Sequence, residues 1–188
     1  AGSFHPPPGW ATLRIMTAKT ILCIRHGEST FNRAWRATPV DPLHFDAPLS
    51  ETGHEQVRQA RPTLADLPVE IVIVSPLTRA LQTALGLFGE HPSAPPMLVA
   101  HLARERVENS CDVGRSPVLL AAEFPSVDVA HLDDVWWHAE GEADERGICV
   151  EPLEAVVERG SSPARAVLES WNGPWQKAIP KLIEYAKY

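Results

Sequence analysis

Apolar residues recur along the chain at two spacings, one suited to strands and one to helices. Thr20 to Ile24 is short, apolar and β-branched at its start, which predicts a buried strand running into Arg25-His26-Gly27. Pro39, Pro42 and Pro48 predict a loop after it. Ser50-Glu51-Thr52-Gly53 is followed at helical spacing by Glu55, Val57, Ala60 and Leu64. That pattern predicts a helix capped by Ser50, with Pro62 kinking or ending it. Val69 to Val74 predicts a second buried strand. Ser75-Pro76 then opens a helix through Leu77, Ala80, Leu81, Ala84, Leu85 and Phe88. Pro76 is expected at its first helical position, where a missing N–H costs little. Met97 to Ala100 predicts a third strand, Ser116 to Phe124 a short helix, and Glu151 to Arg159 the start of another.

Strands alternating with helices imply an α/β fold with a largely parallel sheet covered on both faces, a three-layer α/β/α sandwich. A chain of 188 residues fits one such domain, and its 44% hydrophobic and 22% charged content is that of an ordinary globular protein. No apolar run approaches a membrane span. The Pro-rich residues 1–15 read as a flexible extension without the apolar core of a leader, and residues 16–159 as the domain. The stretch 160–188 departs in character: no lysine lies between Lys19 and Lys177, and both tyrosines fall in the last few residues. Gly160-Ser161-Ser162-Pro163 resembles a junction. Either chance in a short tail or a different origin for that segment accounts for the change. Trp175, Ile179, Leu182, Ile183 and Ala186 form an apolar stripe there, suited to packing over a core face.

A net charge of −7 argues against general nucleic-acid binding. Any anion site must therefore be a local concentration of arginine and histidine. Cys23, Cys111 and Cys149 are far apart, without ligand-like spacing, which argues against a disulfide framework or zinc site and for a reducing, cytoplasmic setting. Arg25 and His26 lie where a strand ends, the place where ligands bind in open α/β sheets. Arg79 follows the next strand, in a helix whose dipole favours an anion. Each alone is equally a solvated surface residue; together they suggest convergence on one phosphate.

Arg25-His26-Gly27-Glu28-Ser29-Thr30 with Asn32, Leu49-Ser50-Glu51-Thr52-Gly53 with Gln56 and Ala60, and Ser75-Pro76 with Arg79-Ala80, Gln82, Thr83 and Ala84 resemble, in order and spacing, three signatures of the histidine phosphatase superfamily, phosphoglycerate mutase-like branch. The likeness runs from about residue 20 to 110. It implies phosphoryl transfer through a phosphohistidine on a small phosphorylated metabolite, with phosphatase favoured over mutase. His26 would be the nucleophile, Arg25, Arg79 and Asn32 the phosphate ligands, and Glu105 the acid for the leaving alcohol, with Glu108 as runner-up. Either glutamate is equally suited to a salt bridge with Arg104 or Arg106. The resemblance implies no metal and no cofactor, and it leaves a homodimer open. One departure stands out. The family's second histidine, in a His-Gly pair after a late strand, has no counterpart, because only His131 and His138 follow Glu105 and neither precedes glycine. The alternative is therefore an altered member that binds phosphate or a partner and turns over poorly.

Overall fold

A computed structural model describes residues 22–161; the N-terminal extension and almost all of the atypical tail lie outside them. The chain order is α1 (Thr30–Ala37), α2 (Glu51–Leu64), β1 (Val72–Val74), α3 (Thr78–Phe88), β2 (Met97–Val99), α4 (Pro117–Glu123) and α5 (Leu153–Ser161). Single 3₁₀ turns at His101–Ala103 and Ser110–Asp112 punctuate the second half. The two strands pair in parallel, Val72 beside Met97 and Val74 beside Val99, with α3 as the crossover between them. This is an α/β fold. Among the described residues no helix is long and apolar enough to cross a membrane.

The core lies where α3 packs on β1 and α2 packs on α3. Leu77, Leu81, Leu87, Val74 and Val99 are almost fully buried there, and Leu120, Phe124 and Trp136 close it from the second half. Asp46 ties the loop before α2 to the start of α3. Its carboxylate has no exposed surface and accepts from the Thr78 N–H at 2.8 Å and from Arg115 Nε at 2.7 Å. It thus supplies the cap that Leu77, at the N-cap position of α3, has no side chain to provide.

Several sequence expectations meet a different outcome. Residues 22–24 of the first expected strand are not extended into a sheet; Leu22 and Ile24 are 55% and 43% exposed. A strand needs a ladder partner and cover on its faces, and among the described residues β1 pairs only with β2. The second strand begins at Val72, not Val69, and Ile73 faces outward. Pro76 stands before α3, two positions ahead of its first residue, because Leu77 keeps an extended backbone. Helix α1 replaces part of the expected loop. It is started by a reciprocal cap in which Ser29 Oγ accepts from the Asn32 N–H and Asn32 Oδ1 accepts from the Ser29 N–H.

Candidate active site

The loop of residues 25–29 lies over the N-terminal ends of α2 and α3, and the motif residues pin it there. The Gly27 N–H donates to Thr83 Oγ1 at 3.1 Å, and the Thr83 hydroxyl donates to the Arg79 carbonyl at 2.8 Å. The Glu28 N–H donates to Gln56 Oε1 at 2.8 Å, while the Leu49 N–H donates to Gln82 Oε1 at 2.7 Å. The buried Glu28 carboxylate accepts from the Ser50 hydroxyl at 2.6 Å and pairs with Arg36 at 2.6 Å. Thus Gln56, Gln82 and Thr83 are long-range backbone anchors: they satisfy N–H groups of irregular chain that no strand or helix serves.

Two glycines allow this approach. A Cβ on Gly27 would stand 2.7 Å from the Gly53 carbonyl oxygen, and one on Gly53 would stand 2.0 Å from that of Glu28. Both obstacles are backbone, so neither can swing aside. Gly53→Ala is expected to lower unfolding free energy by about 1–3 kcal/mol, the usual cost of overpacking. Urea denaturation measures it; an unchanged midpoint would show that the loop yields freely.

His26, half-buried at the loop's centre, has its two ring nitrogens in different surroundings. Nδ1 lies 2.6 Å from the Gly27 carbonyl, which can only accept, so Nδ1 carries the proton. The lone pair is left on Nε2, which accepts from Arg79 Nε at 3.2 Å. Burial, the largest influence, lowers the His26 pKa below its ordinary 6.5; the Gly27 carbonyl opposes this, Arg79 and Arg25 add to it, and Glu105 opposes it. The imidazole is therefore neutral at physiological pH, with its lone pair aimed at a guanidinium.

Arg79 is only 4% exposed in its side chain. Its Nη1 donates to the Cys111 carbonyl, and its Nη2 donates to Asp112 Oδ1 at 2.8 Å. Asp112, 5% exposed, neutralises it. The sequence motifs bring His26 and Arg79 together, but they leave Asp112 unmarked: the residue reads as part of a turn closed by Gly114, and its partner is 33 positions away.

Arg25 is exposed. With Phe31, Asn32, Trp35, Arg36 and Asn109 it lines an open cleft of about 440 Å³. Phe31 and Trp35 stack there with ring centroids 5.6 Å apart. Asn32 faces this cleft while its Oδ1 serves the α1 cap. Glu105 is exposed, accepts from the Arg106 N–H at 3.0 Å, and is near enough for its charge to act on His26. Arg104 pairs with the buried Glu151 and Arg106 with Glu108, so neither arginine takes Glu105.

Of the other imidazoles of the second half, His138 is half-buried and two have surroundings of their own. His131 Nε2 bonds to the Val99 carbonyl at 2.9 Å, at the end of β2, and His101 faces Arg104, Asp133, His131 and Arg159. No histidine follows His138 in the chain.

The profile of the histidine phosphatase superfamily, branch 1, matches residues 21–174. The chain belongs to that superfamily. A phosphoglycerate mutase-like protein from Arabidopsis thaliana is 31% identical over 179 residues, covering 76% of this chain and 63% of the relative. The zebrafish (Danio rerio) fructose-2,6-bisphosphatase TIGAR B is 40% identical over 93 residues, covering 48% of this chain and 35% of the relative. This chain thus spans less than two thirds of either relative's length. Among solved structures, Bacillus stearothermophilus YhfR superposes with a TM-score of 0.48 at 19% identity, over 79% of this chain and 67% of that one.

Proposed function

We propose that the chain is a phosphatase for a small phosphorylated metabolite, working through a phosphohistidine. The observation that carries this reading is the state of His26: Nδ1 pinned by the Gly27 carbonyl, Nε2 unprotonated, and a guanidinium beside it. The incoming phosphate takes the Arg79 Nε–H on one of its oxygens, which frees the Nε2 lone pair to attack phosphorus as the P–O bond to the leaving alcohol breaks. Glu105 as the acid gives that alcohol its proton. Arg25 and Arg79 hold the equatorial oxygens, whose charge is the main thing to stabilise, and Asn32 adds a neutral donor. The leaving group lies in the cleft between Arg25 and Trp35. Water then attacks phosphorus, the P–N bond breaks with its electron pair returning to Nε2, and the water's proton goes to the Glu105 carboxylate, leaving phosphate and neutral His26. A mutase would have to keep water from the phosphohistidine, and His26 is only half-buried, which favours hydrolysis.

Brief reaction with an aryl phosphate labelled at phosphorus is expected to leave an acid-labile, base-stable label on His26. Because burial lowers its pKa, labelling should persist as pH falls to 6.5 and fail only on the acid side of that value. His26→Ala should abolish the label. A label that survives in that variant, or that maps to serine, overturns the mechanism.

The second reading is a phosphate-binding member with little turnover. Two observations favour it: the sequence after Glu105 holds no His-Gly pair, and three of the five Arg79 guanidinium donors are engaged by Cys111, Asp112 and His26. Such a chain would bind inorganic phosphate yet take up no label.

A further inference from the structure

We propose that Asp112 is a positioning residue for His26, acting through Arg79: its carboxylate holds the guanidinium so that Nε–H, and no other edge, faces His26 Nε2. The relay runs across three segments. Asp112 Oδ1 accepts from Arg79 Nη2 at 2.8 Å, and Arg79 Nε donates to His26 Nε2 at 3.2 Å. Both members of the ion pair are buried, at 4% and 5% side-chain exposure. A guanidinium is planar, so fixing two of its edges fixes the direction of the third. The Cys111 carbonyl takes Nη1 and Asp112 takes Nη2. With both Nη groups held there, the Nε–H points at the lone pair on the imidazole.

Asp112 is itself held. Its Oδ2 accepts from the Asn109 N–H at 3.0 Å, closing the turn that carries it. A purely structural role for Asp112 is thus available, and loss of stability alone cannot test the proposal. The titration of His26 can. The charged and polar groups bearing on this imidazole are Arg25 and the Gly27 carbonyl from its own loop, Arg79 from α3, and Glu105 from the loop after the first 3₁₀ turn. Asp112 bears on it through Arg79. If Asp112 only neutralised a guanidinium that stays in place, removing it would strengthen the positive field at His26 and push its titration to lower pH. If Asp112 positions the guanidinium, removing it releases Nε–H from Nε2. The neutral imidazole then loses its donor, and titration moves to higher pH.

The proposal rests on the phosphatase reading only for its catalytic consequence, so the experiment has one readout that needs no turnover. Ring-¹⁵N NMR of the full chain would follow His26 through pH in the unsubstituted protein, Asp112→Ala, Arg79→Ala and the double variant. An upward shift of about half a pH unit or more is expected in all three variants, with the double variant no further than Arg79→Ala. Asp112→Ser, whose hydroxyl can still serve the Asn109 N–H but carries neither the charge nor the second oxygen that pairs with Arg79, should shift the same way if Asp112→Ala does not fold. Titration that is unmoved or moves downward without Asp112, while Arg79→Ala moves it up, overturns the proposal. Aryl phosphate hydrolysis is read in parallel: Asp112→Ala should fall to the level of Arg79→Ala. A shifted titration with no turnover in any form would strike the phosphatase reading and leave the positioning role standing.

Discussion

Arg79→Ala is expected to lower kcat/KM for an aryl phosphate by about a hundredfold to a thousandfold, the usual loss on removing one well-placed donor to transition-state charge. Its guanidinium stands within hydrogen-bond distance of His26 Nε2, the atom where the phosphoryl group would attach. The same substitution should cost stability, because it leaves Asp112 as a buried carboxylate without its cation. Breaking one side of a buried pair costs about 3–5 kcal/mol. The two losses come from opposite edges of one side chain and can be separated. Arg79→Lys keeps a charge near Asp112 but cannot reach Asp112, the Cys111 carbonyl and His26 together with a planar fork. It should recover part of the stability and little of the rate. Urea denaturation and steady-state hydrolysis of both variants decide the matter. If Arg79→Ala unfolds more easily yet turns over as the unsubstituted chain does, Arg79 is a core ion-pair member and no phosphate ligand.

The legibility of this molecule follows from how local each feature is. Helix α2 and its Ser50 cap stand where the spacing of Val57, Ala60 and Leu64 places them, as does α4 between Ser116 and Phe124. Those signals are contained within one turn or two. Helix α1 was hidden because the prolines after it dominate the stretch, and because its cap pairs Ser29 with Asn32 where a Glu or Gln at the third position is the more familiar sign. The strand expected over residues 20–24 shows the converse limit. An apolar run states a preference for burial, but only neighbouring strands and covering helices grant it, and Leu22 and Ile24 remain exposed.

The site divides the same way. His26 and Arg79 are found from motif order alone, since each sits beside residues whose spacing repeats a known pattern. Asp112 is invisible to such reading. It has no periodic neighbours, and an Asp before Val113-Gly114 is ordinary turn chemistry. Only folding over 33 positions makes it the partner of Arg79. Glu105 was equally suited to acid catalysis and to a salt bridge. The geometry removes the salt bridge, because Glu151 takes Arg104 and Glu108 takes Arg106. It also keeps Glu105 close enough to influence His26.

The second histidine that the resemblance implies has the largest expected consequence for rate. Negative charge in the transition state spreads over three equatorial oxygens. Arg25 stands in the open cleft and Arg79 on the buried side; on the phosphatase reading, a clamp made of the two would cover two directions. The resemblance implies an imidazole on the remaining side, and His131 is already bonded to the Val99 carbonyl at the end of β2. Turnover of a generic aryl phosphate by this chain is therefore expected to be slow. Replacing the residues after about Arg159 with a relative's late strand and its His-Gly pair should raise kcat about a hundredfold to a thousandfold. The affinity for inorganic phosphate should change less, since on the same reading two arginines would already meet the ground-state anion. Steady-state hydrolysis by the two proteins side by side, with phosphate binding by calorimetry, is the measurement. If the present chain already turns over as fast as the restored one, the second histidine is dispensable here or His138 fills its place, and the reading as a weakly active member is wrong.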